Sequence, residues 1–272
     1  MMEDFSEYNG EGTDLRRAQM RMLDILTEID KVCRRHDIPY WLDFGTLLGA
    51  VRHKGFIPWD DDLDVTIFRD DNKRLQDFLA RELPEQYYVF SERTSRKFDK
   101  TGYFRIVDRK SSVLRTGQDE SAFNVEGNGI WVDIFNVERG NVPFKRTMDK
   151  YHGRAMRRIR GMINDGPVKL AASYVMLPFT SAIVFGYRML QRVKGNENYV
   201  YNIPNCVVWQ MFSQRRREQI LPLREMSFEG RNFHVPNDSD AFLKETYGDY
   251  MTVPPKEKRV FHSVLIKIKD DE

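Results

Sequence analysis

The sequence predicts an α+β fold with a helical, basic and hydrophobic insertion, and three stretches point to it. Apolar residues at Leu15, Ala18, Met22, Ile25, Leu26, Ile29, Val32 and Cys33 recur at threes and fours, the signature of an amphipathic helix. Residues 41–67, WLDFGTLLGAVRHKGFIPWDDDLDVTI, read as strand, glycine turn, short helix, loop and acidic strand. Residues 129–137, GIWVDIFNV, form a strongly apolar strand interrupted by one carboxylate, Asp133. Helix and strand signals alternate around these landmarks without a repeat or a convincing second domain, so the 272 residues are taken as one domain, interrupted over about 145–226 by the insertion.

The elements follow in order. Thr13 or Asp14 caps the first helix, and Asp37, Ile38 and Pro39 end it, because the residue before a proline resists helical geometry. Residues 40–43 are a short strand. Gly45 and Thr46 then open a short helix, where a glycine lets the backbone approach a phosphate and the helix start offers unpaired N–H groups. Arg52, His53 and Lys54 end that helix, suited either to its dipole or to a phosphate. Residues 71–83 form a helix with Leu75, Phe78 and Leu79 on one face, stopped by Pro84, and residues 87–91 and 103–107 are strands. On the second of these, Arg105 either faces the site or forms an exposed pair with Asp108. Residues 228–235 form a hairpin with Gly230 at its turn, and Asn237 or Asp238 caps a helix ending at Tyr247. The aromatics of YGDYMTVPP, residues 247–255, either stack on a base or close over the core.

Composition excludes several classes. With 41% hydrophobic residues and no long low-complexity tract, disorder is expected only near residues 1–13 and after Ile268. Two distant cysteines, Cys33 and Cys206, make neither a disulfide framework nor a thiolate-rich zinc site. The start MMEDFSEYNGEG lacks the basic and apolar regions of a signal peptide, which gives a cytoplasmic expectation. The net charge of +2 conceals an asymmetry, since residues 145–194 hold 11 Lys and Arg against two acids, Asp149 and Asp165. Such a segment suits an anionic partner. Its residues 145–162 read as a helix, and residues 170–187 contain no charge but include Pro178 and Gly186. A hairpin or helix pair peripheral on an anionic, cytoplasmic membrane face fits the basic flanks, with a pair of core helices or a membrane span as the other readings.

The acidic run Asp60, Asp61, Asp62, Leu63, Asp64 carries the chemistry. Like charges this close at the mouth of an apolar strand cost stability unless a cation or arginine offsets them. Asp62 and Asp64 project from one face of the strand, while alternation turns Asp61 away. Asp133, alone in its apolar run, needs a partner as well, either a metal shared with Asp62 and Asp64 or an arginine or backbone donor.

The run LDFGTLLGAVRHKGFIPWDDDLDV, with WVDIF around Asp133 and VPNDSDAFLKETYGDYMTVPP near the end, resembles the LicD family, fukutin-related transferases of the polymerase-β-like nucleotidyltransferase superfamily. That resemblance implies a nucleotidyltransferase-like mixed β-sheet packed with helices, in which Gly45-Thr46 stands for the superfamily's Gly-Ser turn, Asp62 and Asp64 for its Asp-x-Asp pair and Asp133 for the third carboxylate. It also implies transfer of a phospho-alcohol such as phosphocholine from a CDP-linked donor to a sugar hydroxyl of a glycan or glycolipid acceptor, with CMP released. Surface glycans such as lipopolysaccharide, teichoic acid or capsule are the expected acceptors. Asp62, Asp64 and Asp133 are then expected to hold two Mg2+ ions, with Mn2+ as a substitute, and Asp133 to act as base. Gly45, Thr46 and Arg52 are expected to hold the diphosphate, and His53, Trp59, Asp60 and Arg105 to line the pocket. Other expectations remain open: a nucleotidyltransferase acting on a small acceptor, or a non-catalytic glycan- or membrane-binding relative. Nucleic acid is not an expected partner.

Overall fold

A computed structural model describes residues 4–95, 98, 103–115, 121, 125–161, 163–201, 214–259 and 263–268. Cys206 lies outside these residues. After a short helix α1 (Ser6–Asn9), the predicted amphipathic helix is α2 (Asp14–Arg35), and Thr13 is its cap, accepting a hydrogen bond from the Arg16 N–H at 3.2 Å. Over residues 4–13 the expected disorder gives way to packing, because the Phe5 and Tyr8 rings lie 5.7 and 5.8 Å from that of Trp59.

The next elements are β1 (Tyr40–Leu42), α3 (Phe44–His53), β2 (Asp64–Phe68), α4 (Asn72–Glu82), β3 (Tyr87–Phe90), β4 (Tyr103–Asp108), β5 (Ser111–Arg115) and β6 (Trp131–Arg139). The main sheet runs β1-β2-β6-β4-β3, with β2 and β6 parallel and the other pairs antiparallel, so it is mixed. Alternation sends Val65, Ile67, Val132, Ile134, Phe104 and Ile106 to one face, all buried, and α2 packs against β6 there. The opposite face carries Asp64, Thr66, Asp133, Phe135 and Arg105, with the Phe44 ring of α3 5.3 Å from Phe135.

The insertion departs from expectation in two ways. The helix expected over 145–162 is divided into α5 (Val142–Met148), a π-helical turn (Asp149–Gly153) and α6 (Arg154–Ile159). Residues 170–187, which Pro178 and Gly186 were expected to interrupt, lie in one helix, α7 (Pro167–Val193), which accommodates both. The chain then re-enters the sheet as β7 (Asn198–Tyr201), which pairs with the far end of β6, and β8 (Gln214–Arg216), so the insertion is not helical throughout.

The remaining elements are α8 (Arg217–Ile220), β9 (Arg224–Phe228), β10 (Arg231–Val235), α9 (Ser239–Tyr247) and β11 (Ser263–Ile268). β9 and β10 form the predicted hairpin, with Glu229 and Gly230 both at positive φ as a two-residue turn requires. Glu229 then binds Arg16 at 2.6 Å and accepts from the Phe56 N–H at 3.0 Å, which ties the hairpin to the loop after α3. β11 pairs with β5, an unforeseen two-stranded sheet whose partners lie about 150 residues apart in sequence.

That loop depends on Gly49. A Cβ there would overlap the Gly55 carbonyl and come within 3.1 Å of the Ile57 nitrogen, both backbone atoms that cannot swing aside. Gly49→Ala is therefore expected to destabilise the protein by about 1–3 kcal/mol in urea unfolding, as overpacking does elsewhere. An unchanged midpoint would show that the loop moves freely.

Candidate active site

The site is built where β1 ends. Asp43 follows the last β1 residue and caps α3, accepting from the Phe44 N–H at 2.8 Å, while Phe44 itself takes a positive φ of 45° to turn the chain. The tight turn therefore falls at Asp43-Phe44, two residues earlier than the Gly45-Thr46 pair, which lies in the first helical turn. The buried Asp43 carboxylate also accepts from the Thr66 hydroxyl at 2.7 Å and the Tyr201 phenol at 2.6 Å, tying α3 to β2 and β7. Burial pushes this carboxyl above the usual range, against the lowering effect of those hydrogen bonds.

Gly45 and Thr46 position carboxylates. The buried Thr46 hydroxyl accepts from the Asp64 N–H at 2.8 Å, fixing the first residue of β2. A Cβ on Gly45 would lie 2.7 Å from an Asp60 carboxylate oxygen, so its absence lets the acidic loop fold over the helix start. Gln19 of α2 holds that loop from the other side by donating to the Asp60 carbonyl at 2.9 Å.

The parallel register sets Asp64 opposite Asp133, and the antiparallel register of β4 sets Arg105 opposite Asp133, which makes one row on one face. Arg105 is buried and grips Asp133 with two bonds, Nε to Oδ1 at 2.6 Å and Nη2 to Oδ2 at 3.2 Å. Trp131, two residues earlier, donates its indole N–H to Oδ2 at 3.0 Å and lies 4.7 Å beneath the guanidinium. The partner demanded by a carboxylate inside an apolar strand is therefore an arginine, and Arg105 is not an exposed pair with Asp108. A carboxylate has about four acceptor positions, so three contacts still leave Asp133 room for one more.

Asp64 is the crowded member. Part of the residue reaches solvent, yet its carboxyl lies inside the cluster and is pushed well above the usual range, first by burial and then by Asp62, Asp133, Asp60 and Asp43. Asp60, Asp61 and Asp62 also offer carboxylate oxygens within 4.8 Å of one another, and Asp61, which alternation turned away, is the buried member of this group. Several hard oxygen donors with a surplus of negative charge fit a divalent cation of the magnesium type.

The structure adds one residue the sequence left unassigned, Tyr247 at the end of α9. Its phenol is held protonated well above the usual value by burial and by the charges of Asp64, Asp43 and Asp60, which places it beside the cluster. The tyrosine-rich motif noted in the sequence was its only signal. For Asp43, an acid between an apolar strand and a helix is a cap signal that could have been read.

Three other expected pocket residues have different neighbours. Arg52 donates to the Tyr250 carbonyl at 2.7 Å and to the His53 Nε2 at 2.9 Å, so it clamps the loop after α9. His53 and Trp59 join Phe5 and Tyr8 in an aromatic cluster, and the Arg259 guanidinium lies 4.5 Å from the Trp59 ring. Burial and Arg52 push the His53 pKa down to about 4.

Two outcomes follow. Arg105→Gln leaves Asp133 buried without its counter-charge and is expected to cost about 3 kcal/mol in urea unfolding, whereas an exposed pair would cost under about 1 kcal/mol. Between pH 6.5 and 4 the unfolded chain protonates His53 while the folded one does not, so stability falls as pH falls through that window. The difference in stability between wild type and His53→Gln should therefore change with pH across that range and stay constant above it.

Comparison with known proteins agrees with this geometry. Residues 37–160 match the family described as LicD/FKTN/FKRP, nucleotidyltransferase domain, a span that holds every carboxylate of the cluster together with Thr46 and Arg105. The lipopolysaccharide cholinephosphotransferase LicD of Haemophilus influenzae is 28% identical over 264 residues, covering 92% of this chain and 96% of that protein. The human ribitol 5-phosphate transferase FKRP is 53% identical over 34 residues, which are 12% of this chain and 7% of that protein. Among solved structures, ANT(2")-Ia in complex with adenylyl-2"-tobramycin covers 64% of this chain at 13% identity with a TM-score of 0.24, too slight a likeness to support any argument. Over residues 37–160 the chain is similar to the nucleotidyltransferase domain of the LicD family.

Proposed function

We propose that the protein is a phosphotransferase acting on a cell-surface glycan, and that it moves a phospho-alcohol group from a CDP-linked donor to a sugar hydroxyl with release of CMP. The observation that carries this reading is the row Asp64, Asp133 and Arg105 beside the acidic loop, which concentrates carboxylates where no structural need explains them. The match of residues 37–160 to the LicD family and the phosphotransferase names of two relatives support the reaction class.

Asp62 and Asp64, with Asp60 and Asp61 adjacent and one acceptor position of Asp133, would hold magnesium. The ion would offset the diphosphate's charge and acidify the acceptor hydroxyl. In the transfer, the sugar oxygen forms a bond to the phosphorus bearing the alcohol, and the bond from that phosphorus to the bridging oxygen breaks. The electron pair leaves with CMP and the hydroxyl proton passes to a carboxylate of the cluster, with Asp133 in that role. Arg105 and Trp131 keep Asp133 in one orientation, Thr46 fixes the start of β2, and Tyr247 supplies a neutral hydrogen-bond donor beside the charges.

The test is CMP release from a panel of CDP-alcohols, with magnesium and with chelator. Asp64→Asn is expected to lower the metal-dependent rate by at least about 100-fold while leaving the unfolding midpoint equal or higher, because one of several crowded charges is removed. Label carried on the alcohol half should appear in the acceptor. Label from the cytidine half appearing there would replace this reading with nucleotide transfer, and full activity in Asp64→Asn would overturn the site.

A further inference from the structure

The longest helix among the described residues has no place in the proposed reaction and is largely exposed. Only 17% of the most apolar 18-residue window of α7 is covered by protein. Val175, Phe179 and Phe185 are 67%, 69% and 63% exposed, so the apolar surface is a continuous patch. A soluble core helix hides such a face, and a helix apolar nearly all round is one that protein or lipid covers.

We propose that α7 docks on an anionic phospholipid bilayer and lies in its plane without crossing it. The charge of the insertion chooses the partner. Eleven Lys and Arg against two acids over residues 145–194 attract anionic headgroups and would repel a second copy of the same surface. At the root of the helix, Arg69, Arg188 and Lys145 all converge on the single carboxylate Glu138, at 3.3, 2.6 and 3.9 Å, around a cavity of about 280 Å³. Three cations on one acid leave positive charge where headgroups would lie.

The orientation follows from what runs beside α7. Tyr187 stacks on Phe144 at 3.5 Å, Thr180 meets His152 at 3.0 Å and Ser173 accepts from Arg158 at 3.4 Å. The segment 144–158 therefore lies antiparallel along the whole apolar stretch. If α7 crossed the bilayer, this partner would cross with it and carry Lys145, Arg146, Lys150, Arg154, Arg157 and Arg158 into hydrocarbon, which charged side chains avoid. Lying in the plane, the pair keeps its basic member among headgroups while Val175 and Phe179 enter the acyl boundary. The anchor is also rigidly joined to the candidate site. Arg188 holds Glu138 on β6, the strand that carries Asp133 five residues earlier, so docking would set the carboxylates at a fixed height.

Flotation of the full chain with phosphatidylcholine vesicles, with and without about one third phosphatidylserine, tests the partner. Wild type should float with the anionic vesicles and lose most of that binding in high salt. Val175→Glu with Phe179→Glu should lower flotation at least tenfold with circular dichroism unchanged. Failure of the wild type to float, or equal flotation by the variant, overturns the proposal. So does a wild-type dimer that the variant dissolves while neither floats, which would make a second copy the cover. Separate Tyr174→Trp and Phe185→Trp variants, quenched by brominated lipids, report depth. Equal depth is expected, and quenching at different depths would mean that α7 crosses.

Discussion

The parallel pairing of β2 with β6 is the constraint on which the rest of the molecule depends. It brings Asp64 beside Asp133 on one face of the sheet and sends Val65 and Ile134 to the other. A one-residue slip would exchange the two sets, burying carboxylates in the core and exposing β-branched residues. The register is held at its start by side chains as well as by the ladder. Thr46 anchors the Asp64 N–H, and the Asp133 N–H reaches the Leu63 carbonyl at 2.9 Å before the strand proper begins. The acidic motif is thus attached to the sheet at the point where its charges are needed.

Concentrating carboxylates has a cost that the surrounding structure divides among different devices. Asp133 is neutralised by the buried Arg105. Asp43 is solvated internally by Thr66, Tyr201 and a backbone N–H. Among the described residues Asp64 has no comparable cation, and burial followed by the repulsion of its neighbours raises its pKa. Two carboxylates settled by the fold and a third left in tension are the arrangement on which the proposed magnesium site rests.

The same separation of charge extends over the whole chain. Acidic groups gather at the N-terminal end of β6, and basic groups gather at its C-terminal end and along the insertion. Because Arg188, Arg69 and Lys145 all use Glu138, the helical pair is locked to the same strand that carries Asp133. One strand thus connects the two chemically distinct regions of the molecule.

Local sequence was enough wherever a signal lay within one turn or one strand. The stripe from Leu15 to Cys33, the Glu229-Gly230 hairpin turn and the Asp62, Asp64 and Asp133 carboxylates were legible because periodicity, turn chemistry and unexplained charge are short-range features. The motif that carries the likeness to the LicD family was equally local. What only the tertiary structure decided were contacts between distant segments: Arg105 as the partner of Asp133, Tyr201 on Asp43, Tyr247 beside Asp64, and β5 against β11. Alternation within a strand says which residues share a face, and it is silent on which strand lies next. The insertion makes the same point. Composition gave a basic, apolar segment with Pro178 and Gly186 as apparent breaks, but a proline's lost hydrogen bond can be tolerated in a long helix, so only the folded chain settled that α7 is continuous, exposed and accompanied along its length by arginines.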